Sequence, residues 1–300
     1  MTRIVAIGEC MVELAPLNAQ RDFRMGFAGD TLNTAWYLSK LLNSSGQVDY
    51  VTAVGTDNLS DQMVRFLDHE GIGTRYIMRR PDRSVGLYMI QLHDGERSFS
   101  YWRGQSAART LAQNADELSA ALDGADVVYF SGITLAILPD KDRVVFLEVL
   151  QSFRKAGGTV VFDTNLRPNL WPDTETMTET ITTAAQVCDM ILPSFDDEAV
   201  WFADPTPHHT AQRYADLGAR VVIVKNGSGE IQSLCDGKAS LHTPVQVDTV
   251  IDSTAAGDSF NAGFLAGWIT EKPLDDAIHM GAQLAARVVA HRGALVAEAI

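Results

Sequence analysis

The stretch VIDSTAAGDSFNAGF, residues 250–264, decides how this chain folds. Upstream of its centre, Val245, Val247 and Ile251 alternate with polar residues, the period of a half-buried strand. Downstream, Phe260, Phe264 and Trp268 recur every four residues with Leu265 and Ile269 beside them, the period of one helix face. Between the two lies Ser253-Thr254-Ala255-Ala256-Gly257-Asp258, which carries little side chain. A strand, a turn of small residues and a helix start leave the first backbone N–H groups of the helix exposed, and such groups bind anions. Asp258 sits at that start. Spacing alone favours a capping role for it; a base beside a bound anion is the other role open to it.

Outward from this segment, strand-like and helix-like runs alternate. Arg3–Ile7, Tyr50–Val54, Val127–Phe130, Thr159–Phe162, Met190–Leu192 and Val221–Val224 read as strands. Asp30–Leu42, Leu59–His69 and Arg143–Ala156 read as helices, the last closed by Gly157-Gly158. Continuous Val/Ile runs alternating with helices imply an α/β fold with a mainly parallel sheet covered on both faces. Residues 10–28 and 84–103 break the rhythm with short amphipathic extended pieces and a hairpin signal at Asp94-Gly95. They read as a small β appendage, either a lid over a site or a dimerisation sheet.

Bulk properties narrow the function. The 300 residues are 46% hydrophobic, enough for one large domain, and carry a formal net charge of −14. That field repels nucleic acid and anionic membranes, so neither is expected as a partner. A small anionic ligand then needs local cations, helix N-termini or a metal ion. The apolar run nearest the N-terminus, Ile4–Ile7, is too short for a signal peptide or a span. Cys10, Cys188 and Cys235 form no CxxC pair, which suits reduced thiols and a cytoplasmic location.

Four further segments carry candidate chemistry. Gly29-Asp30-Thr31-Leu32-Asn33 opens a helix; Asp30 or Thr31 suits a cap, while Asn33 beside Gly29 suits a polar ligand. FDTNLRPNLW follows the strand Thr159–Phe162, where ligands gather at the carboxyl ends of parallel strands. Asp163, Asn165 and Arg167 alternate there and share one side if the segment is extended, the alternative being a solvated loop with an Asp–Arg pair. Tyr101-Trp102-Arg103 ends the hairpin, placing a guanidinium that can fork a carboxylate or simply charge an edge strand. Val224-Lys225-Asn226-Gly227-Ser228-Gly229 combines a cation with a flexible turn, and a plain hairpin explains the turn equally well. No P-loop, dinucleotide fingerprint, HExxH or GxSxG occurs.

Together these segments resemble the ribokinase-like (PfkB) family of carbohydrate kinases. The resemblance runs through AIGECMVEL, FAGDTLNTA, YVTAVGTD, ERSFSYWR, SGITLAIL, FDTNLRPNLW, DSTAAGDSFNAGF and RGA. Asp252–Asp258 resembles the second family signature, with Ala255 where a Gly is common; Ala28 replaces the first glycine of the first signature. The family's Asn-x-x-Glu element is half present in PSFDDE, which offers Glu198 but has Phe195 at the Asn position.

The resemblance implies one three-layer α/β/α domain over 1–300, with a discontinuous β lid formed by about 10–28 and 84–103. It implies ATP-dependent phosphorylation of the terminal (6-) hydroxyl of 2-keto-3-deoxygluconate; another sugar, or a silent sugar or nucleotide sensor, is the alternative. Asp258 is then the general base, the N–H groups of Ala255, Ala256 and Gly257 form an anion hole, and Arg167 steadies the transferring group or the sugar. Gly29, Asp30, Asn33, Tyr88, Tyr101, Arg103, Arg167 and Asp258 match the sugar site. Asn165, Lys225, Gly227, Ser228 and Gly229, with the anion hole, match the ATP site. Mg²⁺ is expected with ATP, served indirectly by Glu198, and many relatives add a monovalent cation. Arg103 and Arg167 are the physical reason to expect a sugar acid rather than a neutral sugar, and a homodimer through the β lid is expected.

Overall fold

The computed structural model describes residues 1–17, 22–93 and 96–300, so the Asp94-Gly95 hairpin signal lies outside the described residues. The strands are β1 (Thr2–Ile7), β2 (Met11–Pro16), β3 (Phe23–Ala28), β4 (Gly46–Val51), β5 (Ala53–Val54), β6 (Met78–Arg79), β7 (Gly86–His93), β8 (Glu96–Trp102), β9 (Val127–Ser131), β10 (Thr159–Asp163), β11 (Met190–Ile191), β12 (Val221–Val224), β13 (Ile231–Cys235) and β14 (Lys238–His242). The helices are α1 (Asp30–Leu42), α2 (Asn58–His69), α3 (Ala115–Leu122), α4 (Gly132–Ile137), α5 (Asp140–Lys155), α6 (Thr174–Ala185), α7 (Phe195–Trp201), α8 (Pro207–Asp216), α9 (Ala256–Ile269) and α10 (Leu274–Val288).

The large sheet runs β14-β13-β12-β11-β10-β9-β1-β4. Pairing is parallel from β4 to β12 and antiparallel only at β13 and β14. Its strand residues alternate between two cores. Val5, Ile7, Val128, Phe130, Val160 and Phe162 face α3, α5 and α6 through Leu118, Phe146, Met177 and Ile181. Ile4, Ala6, Val127, Tyr129, Val161 and Ile223 face α1, α9 and α10 through Leu32, Phe264 and Ala277. The result is three layers, with the strand ends that carry Ser131, Asp163 and Lys225 along one rim.

A separate four-stranded sheet, β3-β2-β7-β8, stands beside this body. Met11, Ala28, Tyr88 and Ile90 from its strands share a small core with Ala294 and Ala255. The small sheet therefore lies against the turn that precedes α9.

Two local expectations change. The alternation at Val245–Ile251 forms no strand: the chain after β14 is coil, and Val250 and Ile251 are exposed. With the sheet already ended by β14, that segment has no ladder to join and serves as a wall instead. Helix α9 is not amphipathic; every residue from Ser259 to Gly267 is buried, because it is covered by α1 and α10 as well as by the sheet.

Candidate active site

Helix α9 starts from Ala255 in the left-handed region, at φ 58°. An alanine there costs about 1–2 kcal/mol relative to ordinary backbone, and strain of this kind gathers at functional sites. Ser259 N–H already reaches Ala255 O at 2.8 Å, and Ala256 N–H is used on Ser253 O at 3.2 Å. This corrects the expected hole of three amides: Ala256 N–H is engaged within its own turn. Those of Ala255 and Gly257 have no acceptor among the described residues.

Asp258 is not a cap. It lies in the first turn of α9, and its Oδ2 accepts a 2.8 Å hydrogen bond from Asn33 Nδ2. Burial pushes its pKa up to about 8, and the neighbouring Asp30 charge adds to this, against the Asn33 bond and the charge of Lys225. A carboxyl so tuned suits proton abstraction from an alcohol near neutral pH.

Asp30 and Asn33 come from α1. The capping expectation fails here too: Gly29 is the N-cap and no side chain caps the helix, while Thr31 Oγ1 bonds Tyr50 OH at 2.9 Å. Gly29 is needed for a close approach, since a Cβ there would stand 2.2 Å from Glu9 O. Asn33 Oδ1 accepts from Gly29 N–H at 3.4 Å, so its amide is oriented with Nδ2 toward Asp258. Burial also raises the Asp30 pKa, against hydrogen bonds from Ser131, Thr31 and Asn165.

The segment after β10 is not extended. Asn165 and Arg167 sit at φ 26° and 47°, so Asp163, Asn165 and Arg167 do not line up on one side. Asn165, expected at the ATP site, donates from Nδ2 to Asp30 Oδ2 at 2.8 Å and does not line the cavity described below. Arg167 is exposed and close enough to Asp197 to lower that carboxyl's pKa, which burial raises. Asp163 pairs with Lys225 at 3.2 Å instead of with an arginine.

Three residues of the small sheet were expected at the sugar. Tyr88 is buried and its hydroxyl donates a short hydrogen bond to Glu13. Tyr101 is exposed, with its ring 5.9 Å from that of Tyr88. Arg103 forms an ion pair with Glu9, with side chains 10% and 0% exposed, so its charge is largely cancelled before any ligand arrives.

On the other side of Gly257 opens a cavity of about 440 Å³. Ser194, Asp196, Lys225, Asn226, Gly227 and Ser228 line its polar side. Val245, Val247, Val250, Phe260, Ala282, Ala285 and Val289 line its apolar side. Gly229 is not part of the lining; it closes the β12–β13 turn, its N–H on Asn226 O at 2.7 Å. The apolar wall from α10 and residues 244–250 escaped sequence reading, since small residues on a helix face look like core.

Glu198, expected to serve a metal indirectly, does not line this cavity. Its side chain is fully enclosed, taking hydrogen bonds from Thr164 Oγ1 (2.7 Å), Arg213 Nη2 (2.7 Å) and Tyr214 OH (3.0 Å). Burial still lifts its pKa to about 7, against the Arg213 charge. Among the described residues no group of three or more His, Cys, Asp or Glu side chains could hold a metal ion. Nor is any described helix long and apolar enough to cross a membrane.

Comparison with known proteins shows the family. The family model for the pfkB family carbohydrate kinases matches residues 1–299. The 2-dehydro-3-deoxygluconokinase of Haemophilus influenzae is 42% identical over 306 residues, covering 99% of this chain and 96% of that protein. Its counterpart in Escherichia coli is 38% identical over 304 residues, covering 98% and 97%. The crystal structure of a PfkB protein from a Polaromonas species superposes with a TM-score of 0.85 at 25% identity, covering 96% of this chain and 95% of that one.

Proposed function

Because the chain belongs to the pfkB family and is a carbohydrate kinase, we propose that it transfers the γ-phosphoryl group of ATP to the terminal hydroxyl of 2-dehydro-3-deoxygluconate, also called 2-keto-3-deoxygluconate. The product is the 6-phosphate. The names of the two relatives support the substrate. The observation that carries the chemistry is Asp258, held by Asn33 within one residue of the unengaged Gly257 amide.

In this reading the adenine and ribose lie in the cavity between α10 and the 226–228 turn, with the phosphates reaching inward to the amides of Ala255 and Gly257. The sugar lies on the opposite side, against Gly29, Asp30, Asn33 and Asn165, under Tyr88, Tyr101 and Arg103. Asp258 takes the proton of the attacking hydroxyl as the amides receive charge on the phosphoryl oxygens. Phosphoryl transfer asks mainly for this positioning and charge placement. Arg167, exposed at the rim, supplies the net cation for an acidic sugar, while Arg103 supplies oriented N–H donors. Mg²⁺ enters as the counter-ion of ATP and thus as part of the substrate, a mode that needs few protein carboxylates.

The small sheet of β3, β2, β7 and β8 acts as the lid. Its exposed Phe23, Met25, Phe99 and Tyr101 suit a homodimer, which light scattering of the purified protein tests. A cytoplasmic location belongs to the same reading.

A coupled assay of ADP release against a panel of sugars tests the function. The keto sugar acid should exceed fructose and ribose in kcat/KM by at least about tenfold, corresponding to roughly 1.4 kcal/mol. Equal values for neutral sugars would remove the substrate assignment. Replacing K⁺ by choline in that assay tests the monovalent-cation expectation.

A further inference from the structure

Lys225 follows the last residue of β12 and is only 9% exposed. Its Nζ lies 3.2 Å from Asp163 Oδ1 and 3.0 Å from Asn261 Oδ1. Asn261 is itself fixed, donating to Asp163 Oδ2 at 2.8 Å and to Tyr129 OH at 3.1 Å. An ammonium has three N–H donors. Two are taken, and the third has no acceptor among the described residues.

Its surroundings show where that donor stands. A Cβ built on Gly257 would lie 3.6 Å from Nζ and, its chain neighbours and the helix's own backbone aside, would meet no other atom within 4 Å. The space above Gly257 is therefore open, and the ammonium borders it. Lys225, Ala256 and Gly257 together line the cavity of about 440 Å³. Burying an ammonium is costly, and a purely structural ion pair gains most when every donor is used. Here one donor is left at the place where an anion would sit against the Gly257 amide.

We infer that Lys225 is a catalytic residue, giving its third N–H to the phosphoryl group as it passes from ATP to the sugar. This deepens the kinase reading above and rests on it. In the step, the sugar oxygen bonds to the γ-phosphorus as the bond from that phosphorus to the ADP oxygen breaks. The electron pair leaves on ADP, and the hydroxyl proton goes to Asp258. Charge spreads over the phosphoryl oxygens and the leaving oxygen during transfer. A lysine suits this as a compact point charge. Because Asp163 and Asn261 hold it, little reorganisation is needed. The absence of a side chain at Gly257 keeps the path between ammonium and phosphoryl group clear.

The test compares Lys225→Gln and Lys225→Met with the wild type in three measurements: kcat, the Kd of ADP, and the Kd of ADP with aluminium fluoride and the sugar acid. The expected result is a fall in kcat of about 10²–10³. ADP affinity should stay within about threefold, and the extra affinity of the aluminium fluoride complex should be lost by about a hundredfold, as for a contact made in the transition state. Unchanged kcat, or ADP affinity lost in step with kcat, would overturn the assignment. Should neither variant fold, the Nζ ¹⁵N resonance of wild-type Lys225, assigned with Lys225→Arg, should shift with ADP–aluminium fluoride but not with ADP alone; no shift would overturn it. A wild type that turns over a different sugar removes the substrate reading and leaves Lys225 standing. A Lys225→Gln variant as fast as a wild type active on the sugar acid does the reverse.

Discussion

Asn33 on α1 donates a 2.8 Å hydrogen bond to Asp258 on α9, although the two are 225 residues apart in sequence. One bond thus joins the start of α1 to the proposed base. It favours the ionised form of Asp258, while burial and Asp30 favour the protonated form and leave the pKa at about 8.

The pH dependence follows from that balance. A base works when deprotonated, so kcat/KM should rise with pH up to about 8 and then level. Asn33→Leu removes an interaction that lowers the pKa, so the inflection should move upward and the rate at pH 7 should fall, by about tenfold for each pKa unit. A profile flat from about pH 6 to 9 would contradict this assignment of the base. Stability runs the opposite way. The folded pKa is raised from 3.8 to about 8, so the stabilising contribution is complete below the lower value and is lost as pH rises through the upper one. Asp258→Asn should therefore raise Tm at alkaline pH and leave it unchanged near pH 3.5, as differential scanning fluorimetry would show.

Ala255 holds φ 58° without being glycine. Ala255→Gly should relieve that strain, partly offset by unfolded-chain entropy, for a net gain of about 0.5–1 kcal/mol in urea unfolding. Loss of stability would show that the Ala255 methyl, packed against the cluster of Met11, Ala28, Tyr88, Ile90 and Ala294, matters more than the backbone.

Glu198 is enclosed by Thr164, Arg213 and Tyr214. Glu198→Ala should cost about 3–5 kcal/mol, because Arg213 is left without one of its two carboxylate partners. Glu198→Gln, which folds more readily, should keep the wild-type Mg²⁺ dependence. A tenfold rise in the Mg²⁺ needed for half-maximal rate would show a metal role for Glu198.

The buried pair of Glu9 and Arg103 makes a double-mutant cycle informative. Arg103→Leu alone should destabilise by about 3–5 kcal/mol, leaving Glu9 buried and unpaired. Glu9→Gln with Arg103→Leu should recover much of that loss and still raise KM for the sugar acid more than for ATP. Strictly additive effects would mean that the two side chains are not coupled.

Much of the fold was legible because it is periodic. The stripe Ala35, Leu38, Leu42 marks α1, and the Val/Ile runs mark β9, β10 and β12, since burial on both faces requires continuous apolar residues. The coil at 245–251 misled because alternation also arises along a pocket wall that has no ladder. At the site, the candidate segments were visible as polar groups at strand ends, but their pairings were not. Asp163 choosing Lys225, Arg103 choosing Glu9 and Asn33 reaching Asp258 are contacts between distant segments, which local spacing does not encode. Asn261, a lone amide inside an apolar helix, is a local sign of the buried network that spacing arguments do not weigh.

The most direct measurement is turnover by Asp258→Asn at saturating ATP and 2-keto-3-deoxygluconate, with the affinity of each ligand measured by calorimetry on the same preparation. Near wild-type affinity for both ligands is expected, with a rate lower by about 10²–10⁴, the usual contribution of a positioned base. A variant that binds both and turns over at the wild-type rate would contradict it.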